Sequence, residues 1–184
     1  MNSQPRGPRI TSGIDPLTPE QRRLNMSRVR GKNTEPEMLI RRALHAAGLR
    51  YRLHSKKLPG KPDLVFPSRR AVIFVHGCFW HGHNCGLFRL PATRHAFWSE
   101  KIAKNKERDA AAVSALRASG WRVLTIWECA LRGPHRTEIV EVAAEARMFV
   151  LGATTLHEVK GDPGKDHFWQ PAEKSDDNDD SSDD

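Results

Sequence analysis

Four residues that bind soft metals, Cys78, His81, His83 and Cys85, crowd into eight positions directly after the apolar run Ala71-Val72-Ile73-Phe74-Val75, and Cys129 stands 44 positions further on. Three cysteines are too few, and too odd a number, for a disulfide framework. They point instead to a reducing compartment and a metal. Three thiolates and one imidazole make a closed tetrahedral zinc set, which leaves no open position and is therefore structural. Buried free thiols beside surface histidines are the rival reading, and concentrating every cysteine around two histidines makes it the weaker one. Spacing alone does not choose between His81 and His83. The cluster constrains the fold: if the strand that ends before Cys129 is a neighbour of the apolar run, their C-terminal ends bring Cys129 back to the cluster.

The rest of the pattern supplies elements compatible with that demand. Glu35 to Ala47 reads as a helix, with Thr34 as N-cap, Glu37 three residues on as the partner in a capping box, and Gly48 at the end. A short strand at Leu64–Phe66, a turn through Pro67-Ser68-Arg69-Arg70 and a strand at Ala71–Val75 follow, the last apolar on both faces and so predicted to be buried on both. Residues 94–119 form a long helical stretch, Trp121–Trp127 a third strand, and residues 136–151 a last helix. The alternation of helices and strands predicts an α/β layer fold. No apolar run approaches the roughly 18 residues of a membrane span, and Met1 to Ile14 lacks the apolar centre of a secretory signal. These features predict a soluble, cytoplasmic protein.

Charge is distributed in two blocks. Residues 173–184 hold seven acids against one lysine, while residues 1–172 carry 29 bases and 15 acids, a net charge of +14. So basic a body predicts a polyanionic partner, since each neutralised phosphate releases counterions. Turn-rich residues 1–21 read as a flexible arm, 22–151 as the folded domain, and 152–184 as a disordered acidic tail.

Asp63 follows Pro62 at the head of the first strand of the hairpin. Metal-dependent nucleases present an acid at that place, and Mg²⁺ needs few protein oxygens because it keeps several waters. By itself a Pro-Asp at a strand start is weak, and the usual Glu-x-Lys of such a hairpin is absent; Phe74-Val75-His76 stands there instead. Glu37 reads as a capping residue, Asp109 as part of a solvated helix face, and His76 as a core histidine.

The assembled motifs are more specific than their parts. Leu58-Pro59-Gly60-Lys61-Pro62-Asp63, Val72 to His81, Pro91-Ala92-Thr93-Arg94, Phe97-Trp98, Glu100-Lys101-Ile102, Asn105, Glu107-Arg108-Asp109, Gly120 to Leu124 and Trp127 to Leu131 occur in one order. Together they resemble the very-short-patch repair (Vsr) DNA mismatch endonucleases over about residues 22–133.

That resemblance implies a restriction-endonuclease-like, PD-(D/E)xK-type core: a central mixed sheet flanked by helices, with a structural zinc site. It implies a Mg²⁺-dependent nick on the 5′ side of the T in a T:G mismatch, on double-stranded DNA. It assigns Asp63 as the carboxylate shared by two Mg²⁺ ions and the Val75 carbonyl as a further ligand. His81 assists the attacking water, Asp109 orients His81, and Glu37 and His76 hold metal-bound waters. Zinc is assigned to Cys78, His83, Cys85 and Cys129, and intercalation at the mismatch to Phe79, Trp80 and Trp98. Lys101, Lys104, Lys106 and Arg108 become phosphate contacts. A monomer, with a MutL-type repair protein as partner, completes the expectation. Two rivals stand beside it: a restriction-type endonuclease cutting matched sites, and a non-catalytic zinc-stabilised DNA-binding module.

Overall fold

The structure, a computed structural model, describes residues 18–28 and 31–162. Helices α1 (Pro19–Arg28) and α2 (Glu35–Ala46) precede strands β1 (Arg52–Leu53), β2 (Leu64–Phe66) and β3 (Ala71–His76). Then come helix α3 (His95–Ala118), strand β4 (Arg122–Trp127), helix α4 (Ile139–Leu151) and strand β5 (Leu156–Val159). The strands form one mixed sheet in the order β1-β2-β3-β4-β5. Its first half is an antiparallel meander, and β4 and β5 join parallel to β3. Parallel neighbours need long crossovers; α3 and α4 supply them.

Strand alternation divides the core between the two sheet faces. Ala71 and Ile73 of β3 pack with Ile40 and Leu44 of α2 and with Val142, Ala146, Phe149 and Val150 of α4. The intervening Val72 and Phe74 pack with Leu116 of α3 on the other side. Burial on both faces is therefore what the continuous apolar run of β3 encodes.

The local signals act much as their chemistry requires. Thr34 Oγ1 accepts the Glu37 amide at 3.4 Å, but the capping box closes differently from expectation. Glu37 reaches back to the amide of Asn33, at 2.7 Å, rather than to Thr34. Arg70 takes a left-handed conformation (φ 45°) to turn β2 into β3.

Two boundaries are corrected. The arm was expected to run to residue 21, whereas α1 begins at Pro19. The folded body was expected to end at residue 151, whereas β5 adds a fifth strand, with Val159 buried, and the chain is described to Asp162. Only two of β5's four residues are apolar, so its pairing comes from the free edge of β4 and not from a pattern of its own. The remaining arm, residues 1–17, and tail, 163–184, lie outside the described residues.

Arg122 ties the layers together. Its guanidinium donates to the carbonyls of Phe149 (2.5 Å) and Val150 (2.8 Å) at the end of α4 and to that of Arg69 (3.0 Å) beside the β2–β3 turn. These carbonyls have few other partners at a helix terminus, and hydrogen bonds from a charged donor are worth about 1.5–3 kcal/mol. Arg122→Met, which keeps the stem and removes the donors, should lower the urea unfolding free energy by about 2 kcal/mol; an unchanged midpoint would show that water replaces them without cost.

Candidate active site and metal centre

The C-terminal ends of β3 and β4 lie side by side, with Val75 opposite Ile126 and His76 opposite Trp127. Everything with chemical potential gathers around this edge. A cavity of about 730 Å³ opens there and is lined by Glu37, His54, Asp63, His76, His81 and Asp109.

Asp63 is held by the sheet itself. The β1–β2 register pairs Leu53 with Leu64, which places His54 opposite Asp63, and the His54 amide donates to the Asp63 carbonyl at 3.2 Å. The carboxylate turns toward β3, where Oδ2 accepts the Val75 amide at 2.8 Å. Burial pushes the Asp63 carboxyl up to about 6; the Val75 amide opposes this, and the nearby Glu37 adds to it. A desolvated acid of this kind is stabilised by a cation more than by water.

His81 and Asp109 come from the loop after β3 and from the middle of α3. The Nδ1–H of His81 donates to Asp109 Oδ2 at 2.6 Å, which fixes the tautomer and leaves Nε2 as an acceptor. His76 lies flat against His81, with ring centroids 3.7 Å apart and planes 4° from parallel. Burial, with the neighbouring His81, pushes the His76 imidazole down to about 3. It is therefore a neutral platform for its neighbour.

Glu37 is more heavily engaged than the sequence suggested. Oε2 accepts the Asn33 amide, while Oε1 meets Arg41 at 3.4 Å and His54 at 3.1 Å. Fully buried at the start of α2, it needs these partners, since an isolated buried carboxylate is costly.

On the far side of the loop, one ligand atom from each of Cys78, His83, Cys85 and Cys129 lies within 4.8 Å of the others. His83 Nδ1 is 3.6 Å from Cys78 Sγ and 3.5 Å from Cys129 Sγ. A tetrahedral zinc with ordinary Zn–S and Zn–N bonds separates such atoms by about 3.6 Å; the residues fit the metal. His83 therefore turns to the thiols and His81 turns away to Asp109. The His83 ring stacks on Trp127 at 4.2 Å. The Cys129 amide donates to Cys78 Sγ, and the Gly161 amide donates to Cys129 Sγ, each at 3.3 Å. The Cys78–Cys129 hydrogen bond is the main cause that pushes Cys78 up and brings Cys129 down to about 5. Gly82, with φ +60°, lets the loop pass α3, where an added Cβ would stand 2.6 Å from Ile102 Cγ2.

The aromatic residues singled out by sequence form one half-buried cluster. Phe79 meets Trp80 and Trp98 edge-on at 5.1 and 5.3 Å, and Trp80 lies 5.9 Å from Trp98. The Trp80 carbonyl accepts Asn105 Nδ2 at 2.8 Å. Lys101, Lys104, Lys106 and Arg108 are exposed along α3, although Lys104 is paired with Glu100.

Comparison with known proteins yields the same pattern. Residues 14–87 match the family model for DNA mismatch endonuclease Vsr. The chain is 56% identical over 117 residues to the type II nicking enzyme V.XorIIP of Xanthomonas oryzae pv. oryzae, covering 64% of this chain and 86% of that protein. This chain belongs to the Vsr family. It is 48% identical over 124 residues to the DNA mismatch endonuclease Vsr of Escherichia coli K12, covering 67% of this chain and 78% of that protein. It is 42% identical to the type II nicking enzyme V.NmeAIP of Neisseria meningitidis, across 64% of this chain and 84% of that enzyme.

Sequence reasoning about this Vsr-family chain missed two well-placed residues. Glu128 accepts the Cys78 amide at 3.1 Å and pairs with Arg132, bracing the start of the loop that carries Cys78 and His83. His54 enters the cavity between two carboxylates. His54 carried no signal, because β1 is only two residues long; Glu128 lay inside the Trp127–Leu131 motif, but no role was assigned to it.

The raised Asp63 carboxyl has a consequence for stability. Its contribution to the fold is present in full below pH 4 and is lost as pH rises through about 6. At pH 7.5, therefore, the ionised group destabilises the protein when no cation is bound beside it. Asp63→Asn retains an acceptor for the Val75 amide and should raise the unfolding free energy there by about 2 kcal/mol. A lower or equal urea midpoint for the variant would contradict this.

Proposed function

We propose that this chain nicks one strand of double-stranded DNA on the 5′ side of the T in a T:G mismatch, starting short-patch repair, on a restriction-endonuclease-like scaffold. The observation that carries this reading is the joining of Asp63, His81 and Asp109 in one cavity beside Trp80, although they come from a strand start, a metal-binding loop and a helix. A DNA-binding module has no use for that combination.

Mg²⁺ bound at Asp63, with the Val75 carbonyl as a further ligand, supplies charge neutralisation for the scissile phosphate. The chain's own groups do the rest. His81 Nε2 accepts the proton of the attacking water. Asp109 keeps the ring in the tautomer that allows this and stabilises the charge that develops on it. His76 supports the ring from one face without competing for the proton, because burial keeps it neutral. Glu37 sets the rear wall. The zinc cluster fastens the loop at Cys78 and His83, the two sides of His81, so that the imidazole stands still while the water is deprotonated.

Recognition falls to the aromatic cluster. A T:G wobble stacks poorly and deforms at lower cost than a matched pair, so Phe79, Trp80 and Trp98 can enter beside it as wedges. The basic residues of α3 then hold phosphates and set register. A monomer acting in the bacterial cytoplasm, with a MutL-type protein as partner, is what the family implies. Among the described residues no helix is long and apolar enough to cross a membrane.

End-labelled duplexes that carry T:G or T:A in several flanking contexts provide the test. Cleavage should require T:G and Mg²⁺ and should leave the opposite strand intact. Asp63→Ala should abolish nicking, and His81→Ala should slow it by about 10²–10⁴-fold. Cutting of matched sites would favour a restriction-type enzyme, and an Asp63→Ala protein that retains full activity would remove the enzyme reading. Trp80→Ala should reduce T:G over T:A discrimination more than total DNA affinity; equal loss on both duplexes would exclude the wedge.

A further inference from the structure

His54 has no place in the roles assigned above, yet it occupies the centre of the cavity's acidic wall. Its side chain is only 16% exposed. Its backbone adopts φ +46°, a left-handed conformation uncommon for residues other than glycine and one that recurs at functional sites. That conformation occurs where β1 ends, so the ring leaves the sheet edge and joins the wall formed by Glu37 and Asp63.

The two ring nitrogens face different acids. Nε2 stands 3.1 Å from Glu37 Oε1, in ion-pair contact but not aligned for a hydrogen bond, and it has no other polar partner. Nδ1 stands 3.7 Å from Asp63 Oδ1, too far for a hydrogen bond. Asp63 Oδ2 is already committed to the Val75 amide. Oδ1 and His54 Nδ1 therefore face one another with neither satisfied by the other. Glu37, His54 and Asp63 each offer one atom to a group spanning no more than 4.8 Å.

This arrangement has a chemical precedent in general form. A histidine that binds a metal usually turns its other ring nitrogen to a carboxylate, which fixes the tautomer and strengthens the donor. We infer that His54 is a nitrogen ligand of the cation held by Asp63, with Glu37 as the carboxylate behind it. Glu37 then acts through His54, in keeping with oxygens already engaged by Asn33, Arg41 and His54. A mixed nitrogen and oxygen set also alters metal preference: Mg²⁺ favours oxygen ligands alone, whereas Mn²⁺ accepts imidazole readily. The inference rests on Asp63 as the cation site and adds a ligand to it.

Mn²⁺ is the probe, with the full-length, zinc-loaded protein and no DNA. Pulsed electron paramagnetic resonance should show nitrogen modulation from a directly bound imidazole in the wild type. His54→Gln should abolish that modulation and raise the Mn²⁺ dissociation constant by about tenfold or more. The Mg²⁺ constant, measured by competition, should rise by no more than about threefold. Glu37→Gln should retain the modulation while weakening Mn²⁺. Bound Mn²⁺ that is lost in Asp63→Asn yet shows no nitrogen modulation in the wild type overturns the role of His54 and leaves the Asp63 site intact. Modulation that persists in His54→Gln overturns it as well, because another imidazole is then the ligand. If Asp63→Asn binds Mn²⁺ as tightly as the wild type, the cation site itself has been misplaced and both readings fall. The wild-type spectrum needs no variant, so a poorly folding His54→Gln does not remove the test.

Discussion

The parallel pairing of β3 with β4 is the interaction on which the rest of the molecule depends. It places two strand ends at one edge of the sheet. Cys78 emerges from one end and Cys129 from the other, and only this juxtaposition lets ligands 51 positions apart in sequence meet at one zinc-sized site. The same pairing requires a crossover, and α3 is that crossover. Asp109 therefore arrives beside His81 as a consequence of sheet topology, and the aromatic cluster forms where α3 begins.

Two electrostatic environments lie on opposite sides of one short loop. On the cavity side, burial drives groups toward neutrality: the Asp63 carboxyl is raised and the His76 imidazole lowered. Such a wall is unfavourable for the protein alone and favourable for a divalent cation next to a phosphate. On the thiol side, amides from Cys129 and Gly161 point at sulfur, and the Cys78–Cys129 hydrogen bond leaves Cys129 the thiolate and Cys78 the neutral partner. The loop between them carries His81. Its position is set three ways: by Cys78 and His83 of the metal-sized cluster on either side, by Asp109, and by the flat contact with His76. An imidazole constrained so heavily would lose little entropy as the proton acceptor proposed for it.

Recognition and chemistry share the same support. Trp80 lines the cavity, and its carbonyl is tied by Asn105 to the helix that carries Asp109. The aromatic cluster and the His81–Asp109 pair are therefore both tied to one helix. Under the proposed function, exposed basic side chains on that helix would provide attraction without sequence preference, while selectivity would belong to the aromatic cluster and to the low cost of deforming a mismatch.

Much of this was legible in the sequence, for physical reasons. Alternation and apolar continuity specify strands locally, so β2, β3 and β4 were readable to within a residue or so, as were α2 from its cap and apolar face and α3 as a long stretch stopped by Gly120. The cysteine and histidine cluster was visible because few other residue types bind soft metals, whereas Asp63 stood out only through the motifs around it, and the order of motifs identified the family. Tertiary structure alone decided the rest. It turned His83 to the thiols and His81 to Asp109, a choice spacing left open. It added β5, whose pattern is too short to predict and whose place depends on a free strand edge. It reassigned the Glu37 hydrogen bond to Asn33, and it drew His54 into the acidic wall through the register of a two-residue strand. Local sequence dictates what a segment prefers to be; which side chains meet is set by long-range pairing, whose energy no single segment contains.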